Sequence, residues 1–337
     1  MYKTEMNDMR TLDALCISLF LTFLFSFLIL QRGAWGTDFE NYIALISESE
    51  GDFLFRTLTS WIFQFSGSAV LALNSLVLLA LGLKVYHFNK ILGFSSSLIL
   101  LLLIPDIIAK DFGTIRQGLA IAILLPMICL NLEKIGLRSG GYYLLLVVIA
   151  SLFHWSAFFM AMLHCFIIYC SKNIKLTIAV LLFAAGGSIH LPEIVRFLSE
   201  TIPSGFLAYK IERYFHYDDP YTAGRLFSMM LSIAEMTVLL GCVYFCTNAV
   251  RINQLSLTKR QVVLYILLTK MLIIFIAAPQ LTRVFNFVNI CAIVYVGILV
   301  IRTRSDLRAP MYISLLMMGA VSSIAYISRY PDEFTSW

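Results

Sequence analysis

Long apolar stretches separated by short polar ones dominate the chain, and within them the apolar positions run almost unbroken, with no two-residue alternation. A bilayer offers no water to backbone N–H and C=O groups, so a continuous apolar run of about 20 residues reads as a membrane-spanning helix. Runs able to span fall near 11–30, 67–86, 92–109, 116–132, 141–154, 155–170, 176–191, 225–247, 261–279, 284–301 and 310–327, which predicts an all-α polytopic fold with about eleven spans. A membrane β-barrel needs alternating segments, which are missing here. The stretch from Tyr142 to Cys170 is too long for one helix and short for two, and it is divided at His154-Trp155-Ser156.

Composition supports the same class. Of 337 residues, 60% are hydrophobic and 13% charged, against roughly 45–50% and about 25% in a soluble domain. An ordinary water-soluble fold is excluded. The net charge of +5 is too small and too scattered for a nucleic-acid surface. Seven cysteines lie inside apolar runs with no CxxC pair and read as small buried hydrophobes. The run after Arg10 lacks a small-residue cleavage site, so it is expected to be a first spanning helix and not a removed signal peptide. No internal repeat or soluble segment appears, and 1–337 is expected to be one transmembrane domain with outer-face loops at about 31–66 and 192–224.

The division at His154 is favoured by charge. With it, 14 of the 25 Lys and Arg fall on the N-terminal side of the membrane, which the positive-inside rule makes cytoplasmic. Ten lie at the opposite face and Lys270 sits within a span, with Glu235 at a similar depth. Arginines kept at an outer boundary suit an anionic partner; snorkelling to headgroups is the alternative. The segment from Phe53 to Phe65, aromatic and carrying Arg56 and Gln64, predicts a short amphipathic helix in the interface. Residues 209–221, with Arg213 and Tyr214 among tyrosines and carboxylates, suit a sugar, since apolar sugar faces stack on rings while hydroxyls hydrogen-bond. An interfacial aromatic belt would look the same.

Asp38, Arg116, His154 and Arg283 come from four separate stretches and map near one face. An ionisable group at membrane depth costs about 2.5–3.5 kcal/mol on insertion scales, which makes each a functional candidate. Arg116 and Gln117 open a span, where the positive helix N-terminus adds to the guanidinium and suits a phosphate; a salt bridge to Asp106 or Asp111 is the structural alternative. Arg283 offers a second forked donor, or a lipid anchor. His154 suits a base or phosphate ligand, or a structural role. Asp38 in Gly36-Thr37-Asp38 suits a base or an N-cap. The five histidines are dispersed, and there is no HExxH, P-loop, GxSxG or DxD motif. No metal site and no cofactor are expected.

Gly36-x-Asp38-x-x-x-Tyr42, Glu50-Gly51-x-Phe53, Arg116-Gln117 at the head of a span, and Phe153-His154-x-Ser156-Ala157 together resemble the EpsG-like branch of the Wzy polysaccharide polymerases. The spacing from Arg213 to Gly224 is similar to a motif of other Wzy proteins. The resemblance implies a glycosyltransferase of the bacterial inner membrane, acting at the outer face on glycans carried by undecaprenyl diphosphate. It implies Asp38 and His154 as catalytic residues, and Arg116, Gln117, Arg283, Tyr42, Arg213 and Tyr214 as substrate-binding ones. Its partners would be the lipid-linked glycan, the bilayer and a chain-length regulator protein, with no nucleic acid. A lipid-linked oligosaccharide flippase is the rival class, although two related halves with charges spread through the bundle are not seen. An O-antigen ligase shares location and donor and differs in acceptor.

Reporter fusions after Arg138 and Lys175 are expected to report cytoplasm, and fusions within 205–220 the outer side. Arg138 and Lys175 on opposite sides would remove the division at His154. Polymerisation of lipid-linked repeat units by purified protein is expected to continue in EDTA; activity lost and then restored by Mg²⁺ or Mn²⁺ would contradict the metal-free expectation.

Overall fold

The structure is a computed structural model and describes residues 42, 52–92, 114–130, 136–189, 197, 201, 222–246, 249–252, 255–276, 282–301, 303 and 305–329. Ten principal helices are described: α1 (Phe53–Ser66), α2 (Ala69–Leu92), α3 (Ile115–Leu124), α4 (Leu137–Phe153), α5 (Ser156–Ser171), α6 (Ile174–Ile189), α7 (Thr222–Phe245), α8 (Lys259–Ile276), α9 (Thr282–Ile301) and α10 (Ser305–Arg329). Nine of the eleven predicted spans coincide with helices α2 to α10; the run at 11–30 and all but the start of 92–109 lie outside the described residues. Among the described residues two helices, Ala69–Leu92 and Val284–Ile301, are long and apolar enough to cross a membrane, and the apolar stretches of the others are shorter.

The predicted interfacial helix is α1. It buries Phe55 and Thr59 and leaves Phe53, Trp61 and Phe65 exposed, the one-sided pattern of an amphipathic segment. Gly67 ends it in the left-handed region, φ 67°, where its N–H donates to Phe63 O at 2.8 Å. That turn sends the chain directly into α2. The division of the long apolar run is also found: α4 stops at Phe153, His154 is extended, and α5 begins at Ser156.

One element departs from the all-α expectation. Residues Ala249–Ile252 (β1) and Leu255–Thr258 (β2) form an antiparallel hairpin between α7 and α8, with Val250 opposite Leu257 and Arg251 opposite Ser256. Apolar residues recur at every second position in Val250-Arg251-Ile252 and again in Leu255-Ser256-Leu257, the strand period, on a scale too short to disturb the helical reading. At the same end Lys259 donates to the carbonyls of Tyr244 and Cys246, and Arg308 Nε to Thr303 O at 2.6 Å. Cations at helix C-termini satisfy carbonyls that have no helical donor.

The core sits around α9, which is buried almost continuously from Phe285 to Val300 and packs against α2, α5, α7, α8 and α10. Helices α4, α5 and α6 turn many large side chains outward, among them Leu144, Leu145, Phe158, Leu182 and Phe183. All six described cysteines are free, and four of them are buried. Lys270 on α8 is buried and paired with Glu235 on α7, which supplies the partner that an intramembrane cation requires.

Removing one member of such a pair strands the other charge, at a cost of about 3–5 kcal/mol. Lys270→Met is therefore expected to lower the melting temperature of purified protein clearly, and Lys270→Met with Glu235→Leu to recover most of the loss. Thermal unfolding in detergent checks this; two independent, additive losses would show that the pair is not coupled.

Candidate functional site

Three polar side chains from distant parts of the chain meet where α1 begins, α3 begins and α4 ends. Asp52 precedes α1 as its N-cap, yet its carboxylate makes no capping hydrogen bond. Instead Asp52 Oδ2 accepts from Arg116 Nη1 at 3.1 Å and stands 3.6 Å from His154 Nδ1. The second distance is an electrostatic contact, beyond hydrogen-bond range. The local helix contributes only the backbone: Arg56 N–H donates to Asp52 O at 2.9 Å, so α1 is closed without the side chain.

Arg116 lies in the first turn of α3, whose earliest N–H groups have no helical acceptor. Its guanidinium carbon is 5.4 Å from the Tyr42 ring centre and 5.7 Å from that of Phe55, and the two rings pack 5.3 Å apart at 50°. Two rings and one carboxylate thus fix the cation in place. Arg116 Nε, however, is buried and makes no hydrogen bond. His154 Nδ1 and Ser156 Oγ are in the same condition. Buried polar atoms of this kind are rare, since each costs about 1–3 kcal/mol. Of the seven among the described residues, two belong to residues in contact with Asp52 and a third lies two residues from His154; the others are on Asn74, Ser151, Thr269 and Asn289.

His154 and Trp155 form the whole connection between α4 and α5. His154 N–H closes α4 on Ala150 O at 2.9 Å, and its carbonyl accepts from Ala157 N–H at 2.9 Å, so the extended residue is backbone-satisfied from both sides. Trp155 is exposed and meets Phe159 edge-on at 5.4 Å, an arrangement suited to a bilayer boundary. A guanidinium in the first turn of a helix, with an imidazole near the same single carboxylate, is a set of groups that suits an anion.

The EpsG family matches residues 15–335. The chain belongs to the EpsG family. That membership carries the coarse reading of a membrane protein of the polysaccharide-polymerase kind, as the resemblance implied. No curated protein and no solved structure gives a significant match.

Among the candidates for this EpsG-family site, Arg116, His154 and Tyr42 come together. Gln117 is buried beside them, and its Oε1 accepts from the Thr114 hydroxyl at 3.4 Å. Arg283 occupies the second position of α9, with its side chain outside the described residues. Asp38, Arg213 and Tyr214 also lie outside them. Arg116 forms an ion pair with Asp52; Asp106 and Asp111, the partners considered from sequence, lie outside the described residues. Asp52 itself was not singled out, because an aspartate before an amphipathic helix reads as a cap. The only signal was its position next to Glu50-Gly51 and Phe53, the stretch that carries the family resemblance. Among the described residues no three His, Cys, Asp or Glu side chains converge as a metal site would require.

Proposed function

We propose that this EpsG-family protein is a glycosyltransferase that polymerises undecaprenyl-diphosphate-linked repeat units into a bacterial surface polysaccharide. In this reading it is a single transmembrane domain of about eleven spans in the inner membrane, N-terminus cytoplasmic, acting at the outer face. A chain-length regulator is the expected protein partner. The observation that carries the proposal is the convergence of Arg116, Asp52 and His154, with buried nitrogens lacking hydrogen-bond partners, at the first turn of a helix.

The reaction asks little beyond what these groups offer. A hydroxyl of the incoming unit attacks the anomeric carbon of the growing glycan; the new C–O bond forms as the bond from that carbon to the diphosphate oxygen breaks. The hydroxyl proton passes to the His154 imidazole, whose orientation Asp52 supports. Negative charge gathers on the departing diphosphate, where Arg116 and the N-terminus of α3 stabilise it. Arg283 is a second cation for the same leaving group. Asp38 is the other candidate base, Arg213 and Tyr214 would contact the glycan, and Tyr42 and Gln117 would shape the arginine's seat.

Arg116→Lys keeps the charge and loses the fork, so polymer formation from purified lipid-linked units is expected to fall about 10²-fold with protein levels normal. Arg283→Lys is expected to act in the same direction. Asp52→Asn and His154→Ala are each expected to cost about 10²–10⁴-fold, while Asp38→Asn keeps its polymer. Loss with Asp38→Asn and none with His154→Ala would transfer the role of base to Asp38. Normal polymer from Arg116→Lys, Asp52→Asn and His154→Ala alike would overturn the proposal.

A further inference from the structure

The helical run that carries Arg116 tightens before it ends at Leu130. Pro126 has no amide hydrogen, and from Leu125 to Cys129 the chain tightens into a 3₁₀ turn. A tightened turn inside an apolar bundle leaves carbonyls in need of donors. Two of them are met by side chains from other helices. His164 Nε2 on α5 lies 3.1 Å from Met127 O, and the Tyr295 hydroxyl on α9 donates to Ile128 O at 3.1 Å. Met127 O also accepts Leu130 N–H at 2.9 Å.

A carbonyl oxygen can only accept, so His164 Nε2 carries the hydrogen. In the neutral ring Nδ1 is then an acceptor, and the Tyr265 hydroxyl of α8, 2.8 Å away, donates to it. One tautomer satisfies both contacts. The ring is fully buried, with Phe287 at 5.3 Å, and Tyr265 meets Tyr295 edge-on at 5.0 Å. Four helical runs are therefore tied at one point: α3 through its 3₁₀ turn, α5, α8 and α9.

Two of those runs also hold the candidate site. Met127 continues the run that starts with Arg116, about 18 Å away along the axis, and His164 is about 12 Å along α5 from Ser156, next to His154. We infer that His164 is a positioning residue: by tying the Arg116 run to α5, it sets the axial register of Arg116 against His154. A slip of one residue along a helix moves a side chain by about 1.5 Å, and a misplacement of about 1 Å can cost 10²-fold in rate. The inference rests on the proposed reading that Arg116 and His154 act on one substrate.

The test uses purified full-length protein in nanodiscs with lipid-linked repeat units. His164→Phe keeps a ring and removes both hydrogen bonds; turnover is expected to fall about 10- to 100-fold, with KM changed less than about twofold. His164→Gln restores a donor toward Met127 O and is expected to regain at least about a third of the wild-type turnover. Tyr265→Phe removes a single hydroxyl and is expected to lose several-fold in turnover at a near-normal melting temperature. Wild-type turnover in His164→Phe, a loss in KM alone, or Gln no better than Phe overturns the inference. Should His164→Phe fail to accumulate, Tyr265→Phe decides, and wild-type turnover there overturns it. Full activity in Arg116→Lys removes the underlying reading; an inactive Arg116→Lys beside a fully active His164→Phe removes the register role alone.

Discussion

A backbone amide or carbonyl inside hydrocarbon has nothing to bond with except the protein itself, and the interior of this fold is arranged around that constraint. Regular helix satisfies it by default. Where the chain leaves regular helix at several of the described junctions, a specific partner is found. The extended His154 is bonded through its own amide and carbonyl. The 3₁₀ turn after Leu124 is met by His164 and Tyr295, and the ends of α7 and α9 are met by Lys259 and Arg308. Buried polar side chains in this protein are thus mostly answers to backbone breaks or to one another, as with Lys270 and Glu235.

Against that background the region of Asp52, Arg116 and His154 stands apart. Asp52 declines the capping role its position invites, and beside it Arg116 and His154 each keep a buried nitrogen without a hydrogen-bond partner. Such atoms cost stability and are retained where binding or chemistry uses them. The aromatic seat of Tyr42 and Phe55 makes the arrangement stiff, which suits a group that must meet charge at a fixed place.

Much of the fold was legible in the sequence because a membrane span is announced by composition over about 20 residues, a signal stronger than any short-range propensity. The joint at His154 was readable from length and charge without any Pro or Gly to mark it. Of the site, Arg116 and His154 were visible because ionisable residues are conspicuous in apolar surroundings. Asp52 was not, since it sits in a polar segment with Glu48 and Glu50 and has an ordinary local explanation. His164 escaped for the opposite reason: a lone histidine inside an apolar run carries no spacing signal, and its partners lie 37 and 101 residues away in the chain. The hairpin at 249–258 was too short for its alternation to register.

The helices differ in length in a patterned way. Helices α4 and α5, whose ends are both described, have 17 and 16 residues, whereas α2 has 24 described residues. At 1.5 Å per residue the first two cover about 24–26 Å and α2 about 36 Å, on either side of a hydrocarbon thickness of about 30 Å. A long helix adjusts by tilting, whereas a short one is matched by local thinning of the bilayer, by flanking side chains that snorkel or by association with other helices. The two short helices meet at His154, so the adjustment falls at that joint.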